Sequence, residues 1–143
     1  MRIAILGLGV IGTIYAYAFQ KAGHRVEHVL RESKKSTAPN VLTVDLLDGR
    51  YVSKGENKRD TYVVHVAEDH AEYDFIFISV RHGFVKEAVE TLRENRIKGT
   101  LVFFCNFWNT REEVEKWAGE YNYILAFPTA GGHMNEDHLD GVL

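Results

Sequence analysis

Cysteine occurs once in this chain, at Cys105, and proline only twice. A single cysteine excludes an internal disulfide and any zinc site built from several thiolates, and it fits a reducing cytoplasm. So few prolines exclude a proline-rich linker. Excess charge of one sign is also missing. The net charge of −3 over 143 residues implies no general attraction to nucleic acid or to an anionic membrane. The longest stretch free of charged residues runs from Ile3 to Gln20. It holds three glycines and two tyrosines, its periodicity changes midway, and Arg2 is the only charge before it, so it reads as neither a membrane span nor a secretory signal. Internal repeats, low-complexity tracts and interdomain linkers are lacking too. What remains is one globular domain, 45% hydrophobic and 26% charged, large enough for a real core.

The chain is organised around Arg2 to Arg31. The apolar run Ile3-Ala4-Ile5-Leu6 reads as a buried strand. Gly7, Gly9 and Gly12 follow in G-x-G-x-x-G spacing, together with Leu8, Val10 and Ile11. Gly7 allows a sharp bend out of the strand. Gly9 lacks a Cβ, so a diphosphate can approach the backbone. Gly12 lets the following helix pack closely on the sheet. That helix then presents unpaired N–H groups and a partial positive charge to the phosphates. Glycines so spaced are weak evidence alone, but a preceding strand, a following helix and a unit of about 30 residues are the context a dinucleotide site requires. A glycine-rich turn that binds nothing is the alternative.

The end of the second strand bears on which dinucleotide. NAD sites usually place a carboxylate there for the ribose 2′-hydroxyl. This chain has Arg31 after Val29-Leu30, with Ser33, Lys34 and Lys35 following. A guanidinium can clasp a 2′-phosphate with two charge-assisted hydrogen bonds, so NADP is favoured. A one-residue shift would instead bring Glu32 to the ribose and favour NAD. Lys35 reads as a solvated loop residue.

Further along, apolar residues from Val10 to Ala22 recur at helical spacing, and Gly23 is placed to end that helix. Residues 32 to 40 read as loop. Val41 to Val66 reads as extended structure: a hairpin around Asp48-Gly49 with Arg50-Tyr51-Val52 returning, a polar loop from Lys54 to Asp60, then a strand from Thr61 to Val66. The crossover helix usual after a second strand is thus replaced. Tyr73 to Val80 reads as a central parallel strand covered on both faces, with Arg81-His82 at its carboxyl end. A helix from Phe84 to Glu94, a strand from Thr100 to Cys105, a helix capped by Thr110 and Glu113, and a strand from Tyr123 to Phe127 follow. Thr129 to His133 reads as a flexible turn, and Asp140-Gly141 as a turn entering a new strand. The fold class expected is α/β: a Rossmann-like, doubly wound, mainly parallel sheet with an extended insertion after the second strand. The strand that starts near the last residue suggests a piece of a longer protein. The seven histidines lack metal-ligand spacing, and Cys105 reads as a small buried hydrophobe.

Taken together, the glycine fingerprint at the N-terminus, Arg31, the stretch Ile78-Ser79-Val80-Arg81 to Val85-Lys86-Glu87-Ala88-Val89, and Asn106 before Glu112-Glu113 resemble the N-terminal domain of the ketopantoate reductase family (2-dehydropantoate 2-reductases). The resemblance covers nearly the whole chain. It implies that Gly7 to Gly12 hold a diphosphate, that Arg31 holds a 2′-phosphate, and that the cofactor is NADP. Arg81 stands where the family commonly has lysine, and keeps its charge but not its shape, so the resemblance implies a cofactor-binding role for it rather than proton transfer. Asn106 matches the asparagine beside nicotinamide and substrate, though Cys105 and Phe107-Trp108 around it depart from the family's H-N-G step. That departure suggests a different 2-oxo acid or another ketone as substrate. Gly131 falls where a strand of the family passes the nicotinamide. The resemblance also implies that the proton-donating lysine lies in a C-terminal helical domain outside these residues, so no catalytic acid is expected within them. The partners it implies are a small 2-oxo acid, that further domain and, for assembly, a second copy in a homodimer. A non-catalytic dinucleotide-sensing module, or a degenerate domain serving as an interaction surface, would share the same fingerprint.

Overall fold

The computed structural model describes residues 1–50, 57–105 and 111–143. Its main sheet has five parallel strands: β1 (Arg2–Leu6), β2 (Arg25–Val29), β5 (Glu72–Ile78), β6 (Lys98–Phe104) and β7 (Tyr123–Ala126), in the order β2-β1-β5-β6-β7. Helices α1 (Val10–Lys21), α3 (Val85–Glu94) and α4 (Arg111–Ala118) connect these strands, and a short helix α2 (Glu32–Lys35) follows β2. A second sheet carries β3 (Val41–Leu47), β4 (Asn57–Val63), β8 (Gly131–Met134) and β9 (His138–Val142) in the order β4-β3-β9-β8.

The period of two along β1 decides which face each residue meets. Ile3 and Ile5 pack with Ile14 and Tyr17 of α1 and with Leu42, Val44, Tyr62 and Leu139 of the second sheet. Ala4 and Leu6 point the other way, into a core with Val85, Val89 and Leu92 of α3 and Val114 of α4. Helix α1 therefore lies between the two sheets. It meets the second sheet closely at Gly141, where a Cβ would stand 2.8 Å from Ile14 Cδ1. The buried stripe Val85, Ala88, Val89 and Leu92 gives α3 its amphipathic fit to the sheet. Gly23 adopts φ +83 after α1, as its position at the helix end requires.

The Rossmann-like α/β reading holds, and extended structure does replace a crossover helix after β2. Several local expectations need correction. The strand that returns to β3 is Asn57–Val63, so Asn57 to Asp60 are strand rather than loop. The proposed return at Tyr51-Val52 lies outside the described residues. Val66 forms only an isolated bridge to His28. Residues Gly131 to His133 belong to strand β8, not to a flexible turn. Asp140-Gly141 is no turn but the middle of β9, which pairs in parallel with β3 and antiparallel with β8. Both corrections have one source: β9 becomes a strand by pairing with β3, some hundred residues away, and β8 by pairing with β9, which local composition does not reveal. The loop after Arg31 opens with the single turn of α2, and α3 is preceded by a 3₁₀ turn at His82–Phe84.

Candidate functional site

The strand order reverses at β1, whose neighbours are β2 and β5. Ligands of open α/β sheets bind at the carboxyl ends of strands at such a switch point. Two clefts lie there, and Val80 lines both.

The cleft beside β1 and β2 holds about 470 Å³. Gly7, Leu8, Arg31, Ser33, Lys34 and Thr37 line it from one side. Phe84 of the 3₁₀ turn and Ala88 and Thr91 of α3, with Met134 at the end of β8 and Asn135 and Glu136 after it, close the other. The three glycines behave as distinct parts. Gly7 sits at φ +84, a conformation that side chains strain. Gly9 has extended backbone at the head of α1, and a Cβ there would meet nothing within 4 Å. Gly12 is the opposite: a Cβ would stand 2.6 Å from Ser79 Oγ and 2.8 Å from Ile5 Cγ2. So Gly12 serves helix–sheet packing, while Gly9 keeps a space open over the first turn of α1. No side chain among the described residues caps that turn, which leaves the amides of Val10, Ile11 and Gly12 without a capping partner among them. Those amides, an open glycine and about 470 Å³ of space suit a dinucleotide diphosphate.

The turn is braced from below. Gly7 N–H donates to Val29 O at 2.9 Å, and His28 Nδ1 lies 2.7 Å from Gly7 O. A carbonyl only accepts, so Nδ1 carries the proton. His28 Nε2 is then the acceptor for the Tyr62 hydroxyl at 2.7 Å. Both side chains are wholly buried. Burial pushes the His28 imidazole down to about 4 and the Tyr62 hydroxyl well above its ordinary range. The neutral tautomer thus ties the glycine turn to β4 of the second sheet.

Arg31 stands at the rim of this cleft. Its Nη2 is 3.1 Å from Glu87 Oε1 of α3, and both side chains are about half exposed. Lys34 faces the cleft with Ser33. Lys35 turns aside, toward Glu32 at 2.9 Å and Asp69 at 3.7 Å.

The second cleft, about 650 Å³, opens at the ends of β5, β6 and β7. Ile11, Ser79, Arg81, Phe104, Cys105 and Phe127 line it, with His82 and Glu113 across from them. His82 Nε2 lies 3.2 Å from Glu113 Oε2. Ser79 Oγ is enclosed with no hydrogen-bond partner among the described residues. Cys105 is buried, its thiol donates to Val80 O at 3.2 Å, and burial pushes it up to about 11, so it packs rather than attacks.

The structure therefore brings Gly7, Leu8 and Arg31 to one cleft and Ile11 and Arg81 to its neighbour, with Val10, Gly9 and Gly12 in the turn and helix between. Gly131 opens strand β8 and lines neither cleft. Asn106, Phe107, Trp108 and Thr110 lie outside the described residues. Sequence reasoning missed Glu87, the His28–Tyr62 brace and the β8–β9 turn. Only Glu87 left a trace, one helical turn inside the start of a predicted helix. The other two depend on the second sheet.

Comparison with known proteins agrees with this geometry. The family model for ketopantoate reductase PanE/ApbA matches residues 3–139. No curated protein matches the chain in sequence. Similar solved structures include 2-dehydropantoate 2-reductase from Geobacter metallireducens GS-15, 20% identical with a TM-score of 0.70, over 99% of this chain and 46% of that one. A dimeric ketopantoate reductase from Staphylococcus aureus is 18% identical with a TM-score of 0.66, over 100% of this chain and 45% of its own. A D-mandelate dehydrogenase solved with NADH and anilino(oxo)acetate is 15% identical with a TM-score of 0.70, over 98% and 45%. The chain spans a little under half the length of these relatives. With its glycine turn, switch-point clefts and a family match over nearly its whole length, the chain belongs to the ketopantoate reductase family.

Proposed function

We propose that this chain is the NADPH-binding domain of a reductase that delivers hydride to the carbonyl of a 2-oxo acid, acting with a further domain beyond these residues. One observation carries the reading: the glycine turn keeps an open space over helix amides that no described side chain caps, and Arg31 stands at the rim of the same cleft. In this assignment the amides from Leu8 to Gly12 hold the diphosphate. Arg31, with Ser33 and Lys34, takes the 2′-phosphate. When bound, the dinucleotide supplies the hydride. Ser79 and Arg81 line the second cleft, where Arg81 offers a cation to an acidic substrate. Asn106 and Gly131 stay assigned to the nicotinamide end by family resemblance. Reduction of a carbonyl also needs an acid for the developing alkoxide, and the proposal places it in the further domain.

Calorimetric titration with NADPH and NADH tests the reading. NADPH is expected to bind more tightly, and Arg31→Ala to weaken NADPH by roughly tenfold or more while leaving NADH nearly unchanged. Equal losses for both cofactors would remove the 2′-phosphate assignment. Failure of either dinucleotide to bind would remove the cofactor itself.

A further inference from the structure

Arg31 already has a partner. The Glu87 carboxylate reaches it from the first turn of α3 at 3.1 Å, an acid at a helix N-terminus where it is favoured. The α3 residues Ala88 and Thr91, and Phe84 just before that helix, line the cleft that Arg31 borders. Glu87 thus already holds the guanidinium at the cleft's rim, and a phosphate binding Arg31 would have to share it. Two anions would then share one guanidinium and its five N–H donors.

We propose that Glu87 is a specificity-determining residue of the cofactor site. Its carboxylate competes with a 2′-phosphate for Arg31 and holds the preference for NADPH over NADH below what Arg31 alone would give. This rests on the dinucleotide reading above. A 2′-phosphate must displace Glu87 from the guanidinium or lie beside it, and either event costs affinity. NADH presents only a hydroxyl, so it meets no such repulsion. Lys34 lines the cleft with Arg31 and is the cation left to a phosphate when Glu87 engages Arg31. The pair is half exposed, so the penalty is screened by solvent and is modest.

The test is calorimetric titration of the full 143-residue chain with NADPH and with NADH, for the wild type, Glu87→Gln, Arg31→Ala and the double variant. Glu87→Gln keeps the shape and removes the charge. It is expected to tighten NADPH by about three- to tenfold and to leave NADH within about twofold. The gain should vanish in the Arg31→Ala background, because the competition needs the guanidinium. Glu87→Lys should raise the NADPH-to-NADH ratio beyond Gln. Unchanged thermal melting will show that the exposed variants fold. If Arg31→Ala lowers the ratio but Glu87→Gln leaves it unmoved or lowers it, the role of Glu87 is refuted and the cofactor assignment stands. If the wild type binds neither dinucleotide, both fall.

Discussion

Lowering the pH from about 7.5 to about 5 should weaken the fold through one buried imidazole. His28 is wholly buried, donates to Gly7 O at 2.7 Å and accepts from the Tyr62 hydroxyl at 2.7 Å, so it is held neutral. Its value falls from the ordinary 6.5 to about 4, with burial the largest cause. The unfolded chain therefore binds the proton first. Stability is fully present above the unfolded value, is lost as the pH falls toward the folded one, and is level below that. Over the stated range the loss is about 2 kcal/mol. The carboxylates held low by ion pairs or hydrogen bonds, Glu27, Asp45, Asp48 and Asp60, start from ordinary values of 4.5 and 3.8. Their contributions are lost as the pH falls through their folded values, mostly below this window. Urea unfolding at several pH values measures the slope, and His28→Gln is expected to remove it. A wild-type change under about 0.5 kcal/mol, or an equal slope in His28→Gln, would refute the neutral brace.

Two further outcomes follow from the same geometry. Gly12→Ala should cost about 1–3 kcal/mol in urea unfolding, because the new methyl meets Ser79 Oγ at 2.6 Å and Ile5 Cγ2 at 2.8 Å; a neutral result would mean α1 does not rest on the sheet as described. The 143-residue chain should consume no NADPH in the presence of 2-oxo acids, followed at the reduced-nicotinamide absorbance; steady turnover would place the proton donor within the chain.

The parallel sheet was legible because its strands carry their own signal. Ile3 to Leu6 and Phe75 to Ile78 are unbroken apolar runs, which strands covered on both faces require. The glycine turn was legible because each glycine answers a local steric demand. The second sheet was not: β9 contains Asp140-Gly141 and β8 contains Gly131-Gly132, poor strand formers held by pairing to β3 and to each other. Residues that depend on that sheet were hidden with it. His28 looked like any strand histidine until β4 brought Tyr62 to its ring. Arg31 could be read from its place after β2, but its partner Glu87 lies fifty-six positions away on another helix, and only tertiary packing joins them.

The most direct test of the dinucleotide site is Gly9→Ala, because the account separates its effects on fold and on binding. The backbone at Gly9 is extended, φ −82 and ψ 162, and a Cβ there meets nothing within 4 Å, so unfolding free energy should stay within about 0.5 kcal/mol of wild type. The methyl would occupy the space assigned to the diphosphate, so NADPH affinity should fall roughly tenfold or more in the same preparation. A folded Gly9→Ala protein that binds NADPH as well as the wild type would contradict the account.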